Sequence, residues 1–212
     1  MRYLSLQLCA VVFGGMVGCA YTVPLTPVKI DDVPNRHGTK IPGQFSVQIA
    51  TDDCCKKEVR SELLMCQAPT YHINGDQTIK ASVQSALPAV FEDAVVGQSG
   101  RDNDLTISIN RFDVSVRFDP VGVVPTVLAT ADVGFVVEAR RNGQILLTGH
   151  AYAQQANVGR VVLFCAEASS TIAAAVNTAT REALSKLTEL MANSPTLRDL
   201  GGPPLQHRAQ AR

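Results

Sequence analysis

Apolar residues alternate with polar ones in several runs of this chain, and each run predicts a strand with one buried face. Phe45-Ser46-Val47-Gln48-Ile49-Ala50 is the first. Between Asp104 and Asn110 the apolar residues Leu105, Ile107 and Ile109 hold odd positions, whereas Phe112, Val114, Val116 and Phe118 hold even ones. A one-residue slip turns every side chain to the other face, so this change of phase predicts a bulge or bend near Asn110-Arg111. Val127 to Ala139 alternates without a break, followed by Arg141-Asn142-Gly143-Gln144 and a second run through Ile145, Leu147, Gly149 and Ala151. Asn-Gly supplies the two positive φ values of a type I′ turn, so these runs predict a hairpin.

Twice the period lengthens. After Asn74-Gly75-Asp76, which can cap a helix, Ile79, Val83, Ala86, Leu87, Val90 and Phe91 recur at helical spacing. Pro88 falls inside this stripe and predicts a kink or break near Leu87. From about Glu167 to Asn193, the residues Ile172, Val176, Ala179, Ala183, Leu187 and Leu190 mark a long Ala-rich amphipathic helix. The order strand, helix, strand, strand, strand, helix predicts an α+β domain over residues 45–194. It is one mixed, mostly antiparallel sheet of about four strands with two helices on one face. Residues 19–44 contain four Pro and no sustained period, which predicts an extended tether able to span tens of ångströms. Thr51 to Thr70 is either a helical turn or a loop stapled by cysteines. Residues 195–212, with a Gly-Gly-Pro-Pro block, predict a disordered tail.

The 212 residues, 46% of them apolar, suffice for one domain with extensions. With 19 basic and 19 acidic side chains and no basic block, the electrostatic term that dominates nucleic-acid binding is missing. Residues 1–18 carry one basic residue, Arg2, lack acidic groups and contain an apolar run from about Leu4 to Val17. That run is short for a bilayer core of about 30 Å and predicts a secretory signal peptide. Met16-Val17-Gly18-Cys19 resembles the lipobox of bacterial lipoproteins, with Cys19 at the lipidated position, Gly18 and Val17 in accepted positions and Met16 departing from the usual Leu. An ordinary signal-peptidase site at Gly18-Cys19-Ala20, releasing a chain that starts at Tyr21, is the alternative. The lipobox resemblance implies an acyl anchor at Cys19. Ala20 after the cysteine implies, by the sorting rule of enteric bacteria, the periplasmic leaflet of the outer membrane.

With Cys9 removed and Cys19 acylated, Cys54, Cys55, Cys66 and Cys165 remain. In an oxidising periplasm four thiols predict two disulfides with three formal connectivities. A vicinal bridge closes a strained ring, so pairing of Cys54 and Cys55 with Cys66 and Cys165 is preferred. The alternatives are exchanging thiols or a soft-metal site built from Cys54, Cys55, Cys66 and His72. Of the other histidines, His37 and His207 lie in the flanking segments. His150 sits on a hairpin strand as a solvated residue, unless it serves Cys165 as a base. No phosphate loop, nucleophile elbow, zinc-protease or calcium-loop pattern occurs, and Arg140-Arg141 reads as a solvated hairpin tip.

The Cys19 lipobox, the Gly75-Asp76 helix entry, the Asp104-Leu105-Thr106-Ile107 strand, the Asn142-Gly143 hairpin and the long closing helix together resemble the YajG and transport-auxiliary lipoproteins, whose domain is similar to the N-terminal domain of TolB. That resemblance implies a non-catalytic accessory or assembly module of the cell envelope. Such a module, without a cofactor, would bind an envelope protein or polymer and touch the membrane through Cys19. The four-cysteine set lies outside the family's pattern. It supports the alternative of a periplasmic thiol-redox or soft-metal-handling protein using Cys54, Cys55 and Cys66.

Overall fold

The computed structural model describes residues 20–30, 33–51, 53–60, 69–97, 103–119, 126–160 and 167–202. Eight strands and three helices follow one another within them: β1 (Ala20–Thr22), β2 (Ile41–Ala50), β3 (Lys56–Arg60), β4 (Thr70–Asn74), α1 (Asp76–Val90), β5 (Phe91–Val96), β6 (Asn103–Asp119), β7 (Thr126–Arg141), β8 (Gln144–Arg160), α2 (Ala168–Ala192) and α3 (Pro195–Gly201). The class is α+β as expected, but the strands form two mixed sheets instead of a single sheet of about four. One has five strands in the order β5-β2-β6-β7-β8, the other three in the order β1-β4-β3.

The long strands are those with the clearest alternation. β6 and β7 pair antiparallel from Asn103↔Arg141 to Phe118↔Val127 and on to Asp119↔Thr126, and the register shifts between Ile109 and Arg111. Asn110 is therefore the extra residue of a bulge, where the hydrophobic phase changes. Leu105 and Ile107 are buried before it, Phe112, Val116 and Phe118 after it, all on the core side. β7 and β8 are joined by Asn142 (φ 53°) and Gly143 (φ 79°), the two left-handed residues that the Asn-Gly pair predicts.

α2 runs antiparallel to β8 across the core face. A Cβ on Gly159 would meet Thr171, and one on Gly149 would meet Leu190. The intervening helix is about 28 Å long at 1.5 Å per residue, and the matching stretch of strand about 33 Å at 3.3 Å per residue. The two lengths agree well enough for contact along the whole of it. Facing surfaces are built from small residues, Ala129, Ala131, Ala151 and Ala153 on the sheet and Ala175, Ala179 and Ala183 on the helix, all buried. α1 packs beside α2 with Ile79, Val83, Ala86, Leu87 and Val90 buried. Pro88 does not break it at Leu87, since the helix continues to Val90. It stands in the last turn, where it removes only one donor, and the helix closes at Val90 with the Phe91 N–H donating to the Leu87 carbonyl. Phe91, expected on the helical stripe, opens β5 instead.

Three further expectations are corrected. First, residues 20–44 do not form a free tether. β1 pairs parallel with β4, Val23 and Val28 are buried, the Val28 N–H donates to Ser82 Oγ at 2.9 Å, and Asn193 holds the Arg36 N–H and the Pro34 carbonyl at 2.9 Å each. Proline keeps the segment extended, but it is extended along the domain. Second, Thr51 to Thr70 is neither a helical turn nor a plain loop over its described part, since β3 pairs antiparallel with β4. Third, the expected disordered tail begins as α3. Ser194 caps it, accepting from the Leu197 N–H at 3.3 Å, Pro195 occupies its first turn, and Leu197 and Leu200 are buried. The side chains of Asn103 and Arg141 both donate to the Leu200 carbonyl, so Arg141 is a clamp on α3 and not a solvated hairpin tip.

α3 docks on β2 where Gly43, at φ 86°, faces Gly201, and a Cβ on Gly201 would overlap the Pro42 carbonyl. Since the clash is with backbone, Gly201→Ala is expected to destabilise the fold by about 1–3 kcal/mol. Thermal unfolding of the variant checks this, and an unchanged midpoint would contradict the docking geometry.

Candidate functional site

The β3–β4 hairpin decides where the cysteines go. Its register pairs Lys56 with Asn74 and so carries the residue before β3, Cys55, beside the residue after β4, Gly75. The Gly75 N–H donates to the Cys55 carbonyl at 2.8 Å, and the Cys55 N–H donates to Asp76 Oδ1 at 3.1 Å. A Cβ on Gly75 would lie 3.2 Å from Cys55 Cβ, which makes glycine the residue that admits this approach. Asp53, at φ 51°, turns the chain so that Cys54 and Cys55 stand at the mouth of the hairpin with Sγ atoms 2.7 Å apart. Asp76 opens α1 and is itself buried. The thiols of Cys54 and Cys55 and the carboxylate of Asp76 lie within 4.8 Å of one another.

Charge at this corner is divided between two regimes. Cys55 is fully buried and belongs to the core, and burial, reinforced by Cys54 and by the Asp76 carboxylate, pushes its thiol well above the usual range. Lys56 lies at the exposed rim, paired with Asp53 and 3.6 Å from Asp76 Oδ2, and its hydrogen bond holds the Asp53 carboxyl below the usual range. Towards the other end of the small sheet, Tyr21 of β1 stacks on the buried Tyr71 of β4 at 5.8 Å, and burial pushes the Tyr71 hydroxyl up to about 12.

Of the residues singled out from the sequence, Cys54 and Cys55 are brought together. Cys19, Cys66 and Cys165 lie outside the described residues. His72 faces away from the thiols to Glu58 across the hairpin, Nδ1 to Oε1 at 3.2 Å, and is not among the three clustered donors. The His37 N–H is bound to Asn35 Oδ1 in the N-terminal arm, and His150 is exposed beside Val136 on the outer sheet face. Asp76 was legible only as a helix start. Its part in the thiol corner depends on the β3–β4 pairing.

Two further surfaces flank the fold. The outer face of β6-β7-β8, on which none of the described helices packs, shows Leu128 beside Val158, both exposed. It also shows a polar cluster in which Arg111 lies 5.1 Å over the Tyr152 ring and Tyr152 donates to Asp132 at 2.8 Å. At the carboxyl ends of the parallel strands β2 and β5, an open cleft of about 310 Å³ is lined by Gln48, Ile49, Ala50, Lys80, Val96 and Gly97. Among the described residues no helix is long and apolar enough to cross a membrane.

No protein-family model and no curated relative matches this sequence. Solved structures that this chain is similar to include proteins of Gram-negative bacteria. A Xanthomonas campestris protein of DUF330 is 15% identical, with 91% of this chain and 99% of that chain covered and a TM-score of 0.46. A minor lipoprotein from Acinetobacter baumannii is 12% identical, with 73% and 93% covered and a TM-score of 0.42.

Cys55 is expected to resist alkylation in the reduced, folded chain, because the thiolate is the nucleophile and burial suppresses it, whereas the half-buried Cys54 reacts. Peptide mapping after iodoacetamide treatment, native and unfolded, checks this. Labelling of Cys55 at the rate of the unfolded chain would contradict its placement.

Proposed function

We propose that this chain is a non-catalytic bacterial lipoprotein, anchored by acylated Cys19 to the periplasmic leaflet of the outer membrane and serving as an accessory or binding module of the envelope. The observation that carries the reading is the N-terminal sequence, in which a short apolar run ends at Val17-Gly18-Cys19. Support also comes from Ala20, the residue after the expected lipidation site, which is already in β1. A diacyl and an N-acyl chain, at about 0.8 kcal/mol per buried methylene, hold such a module to the leaflet without any protein contact with lipid. Because residues 20–44 pack along the domain, the module rides close to the bilayer surface instead of hanging on a long tether.

Binding, in this reading, belongs to the outer face of β6-β7-β8, which shows Leu128 and Val158 and, further along the same strands, the Arg111–Asp132–Tyr152 cluster. An apolar strip bordered by paired charges suits an envelope protein or polymer, and the likeness to the YajG and transport-auxiliary group fits such a role.

Cys19→Ala is expected to leave the fold intact and to move the protein from the membrane fraction to the soluble fraction. Fractionation together with intact mass of the N-terminal peptide checks this. Continued sedimentation of the variant with membranes, or an unmodified amino terminus at Tyr21 in the parent chain, would overturn the proposal.

A further inference from the structure

We infer that the corner formed by Cys54, Cys55 and Asp76 is a site for a thiophilic divalent cation of the zinc class. This goes beyond the envelope-lipoprotein reading and does not depend on the anchor. Two thiols and one carboxylate with all donor atoms within 4.8 Å form a three-ligand set of the kind zinc takes while keeping a fourth position for water or a further ligand. The donors come from two segments, the turn before β3 and the first residue of α1, and the hairpin register with the Gly75 N–H to Cys55 carbonyl bond fixes them relative to each other. The site is thus built by the fold and not by sequence adjacency alone.

Electrostatics favour this occupant. Two thiolates and a carboxylate carry three negative charges, a divalent cation leaves one, and the Lys56 ammonium, paired with Asp53, stands 3.6 Å from Asp76 Oδ2 beside it. The amino end of α1 adds partial positive charge that favours the anionic donors. Two thiolates on one tetrahedral ion stand about 3.8 Å apart at zinc–sulfur distances near 2.3 Å. The sulfurs, at 2.7 Å, must therefore open by about 1 Å, a movement available to Cys54, which is only half-buried. Binding replaces two S–H bonds with two S–metal bonds, releases two protons to solvent and moves no electrons.

The test uses the full exported chain, reduced and then freed of reductant under anaerobic conditions, with Co²⁺ as the spectroscopic probe and Zn²⁺ as competitor. One equivalent of Co²⁺ is expected to give thiolate-to-cobalt charge-transfer absorption with tetrahedral visible bands, and Zn²⁺ is expected to abolish them. Asp76→Asn is expected to weaken Co²⁺ binding by at least about tenfold, and Cys54→Ser or Cys55→Ser to do the same while halving the charge-transfer intensity. Circular dichroism establishes folding of each variant, and Cys54→Ser, at the half-buried position, carries the test if the Cys55 variant does not fold. A combined Cys66→Ser, Cys165→Ser, His72→Ala variant is expected to keep the full signal. Absence of the bands in the parent chain, their survival at full intensity and affinity in Cys54→Ser, or their loss in the combined variant would overturn the assignment.

Discussion

The rest of this fold depends on how closely α2 can approach the β7–β8 hairpin. A buried Ala methyl contributes only about 0.8 kcal/mol, against about 1.5–3 kcal/mol for a buried Leu or Phe. The Ala-on-Ala contact is therefore not itself the main source of stability. Its effect is geometric: with Ala129, Ala131, Ala151 and Ala153 below and Ala175, Ala179 and Ala183 above, backbone lies near backbone, and the larger Phe135, Val133, Leu184 and Leu187 are closed off from water. Gly149 and Gly159 extend that closeness to both ends of β8, where Leu190 and Thr171 would collide with any side chain. α1 then packs on α2 and on β2 and β5, and the small sheet is joined to α1 through Gly75 and Asp76.

What could be read from the sequence was whatever repeats often enough to outvote chance. β6, β7 and β8 run for 17, 16 and 17 residues, so their alternation is sustained, and the flip at Asn110 stands out because long regular runs surround it. Gly134, opposite that bulge, is the counterpart the pattern did not announce. A Cβ there would lie 2.7 Å from Asn110 Oδ1, a demand created only by the pairing of two strands. Short elements gave no such signal. β3 is Lys-Lys-Glu-Val-Arg with one buried residue, Val59, and β1 has three residues with none. They are strands because β4 lies between them, which is tertiary context overriding local composition. The packing of the proline-rich arm is hidden for a related reason: Pro fixes φ but says nothing about what an extended segment lies against. α3 is different, since Ser194-Pro195 and the Leu197–Leu200 spacing were an ordinary helix start overshadowed by the Gly-Gly-Pro-Pro block that follows.

The thiol corner shows the same division. Adjacent cysteines were visible at once, and so was the short list of chemistries open to them. Their third partner was not, because Asp76 is 21 residues from Cys55 and reads locally as nothing more than the first residue of a helix. His72 was the more obvious ligand by residue type, yet strand pairing turns it to Glu58. Residue identity limits the possible chemistry, and register chooses which of the possible groups meet.

Register also relates the corner to the proposed anchor. Arg60, Thr70 and Ala20 lie in one line across the small sheet, so the end of β1 that follows Cys19 shares its edge with an exposed guanidinium. Close to a leaflet bearing anionic headgroups, such a cation contributes about 1 kcal/mol of attraction. Lys56, Asn74 and hence Cys55 lie at the opposite end of the same strands. At about 3.3 Å per residue, the five-residue length of β4 puts the thiols about 15 Å from the anchored edge. Under the lipoprotein reading one small sheet therefore has two unlike ends, a basic one against the membrane and a thiol-bearing one facing the periplasm. The antiparallel pairing that buries Cys55 is what keeps these two ends apart.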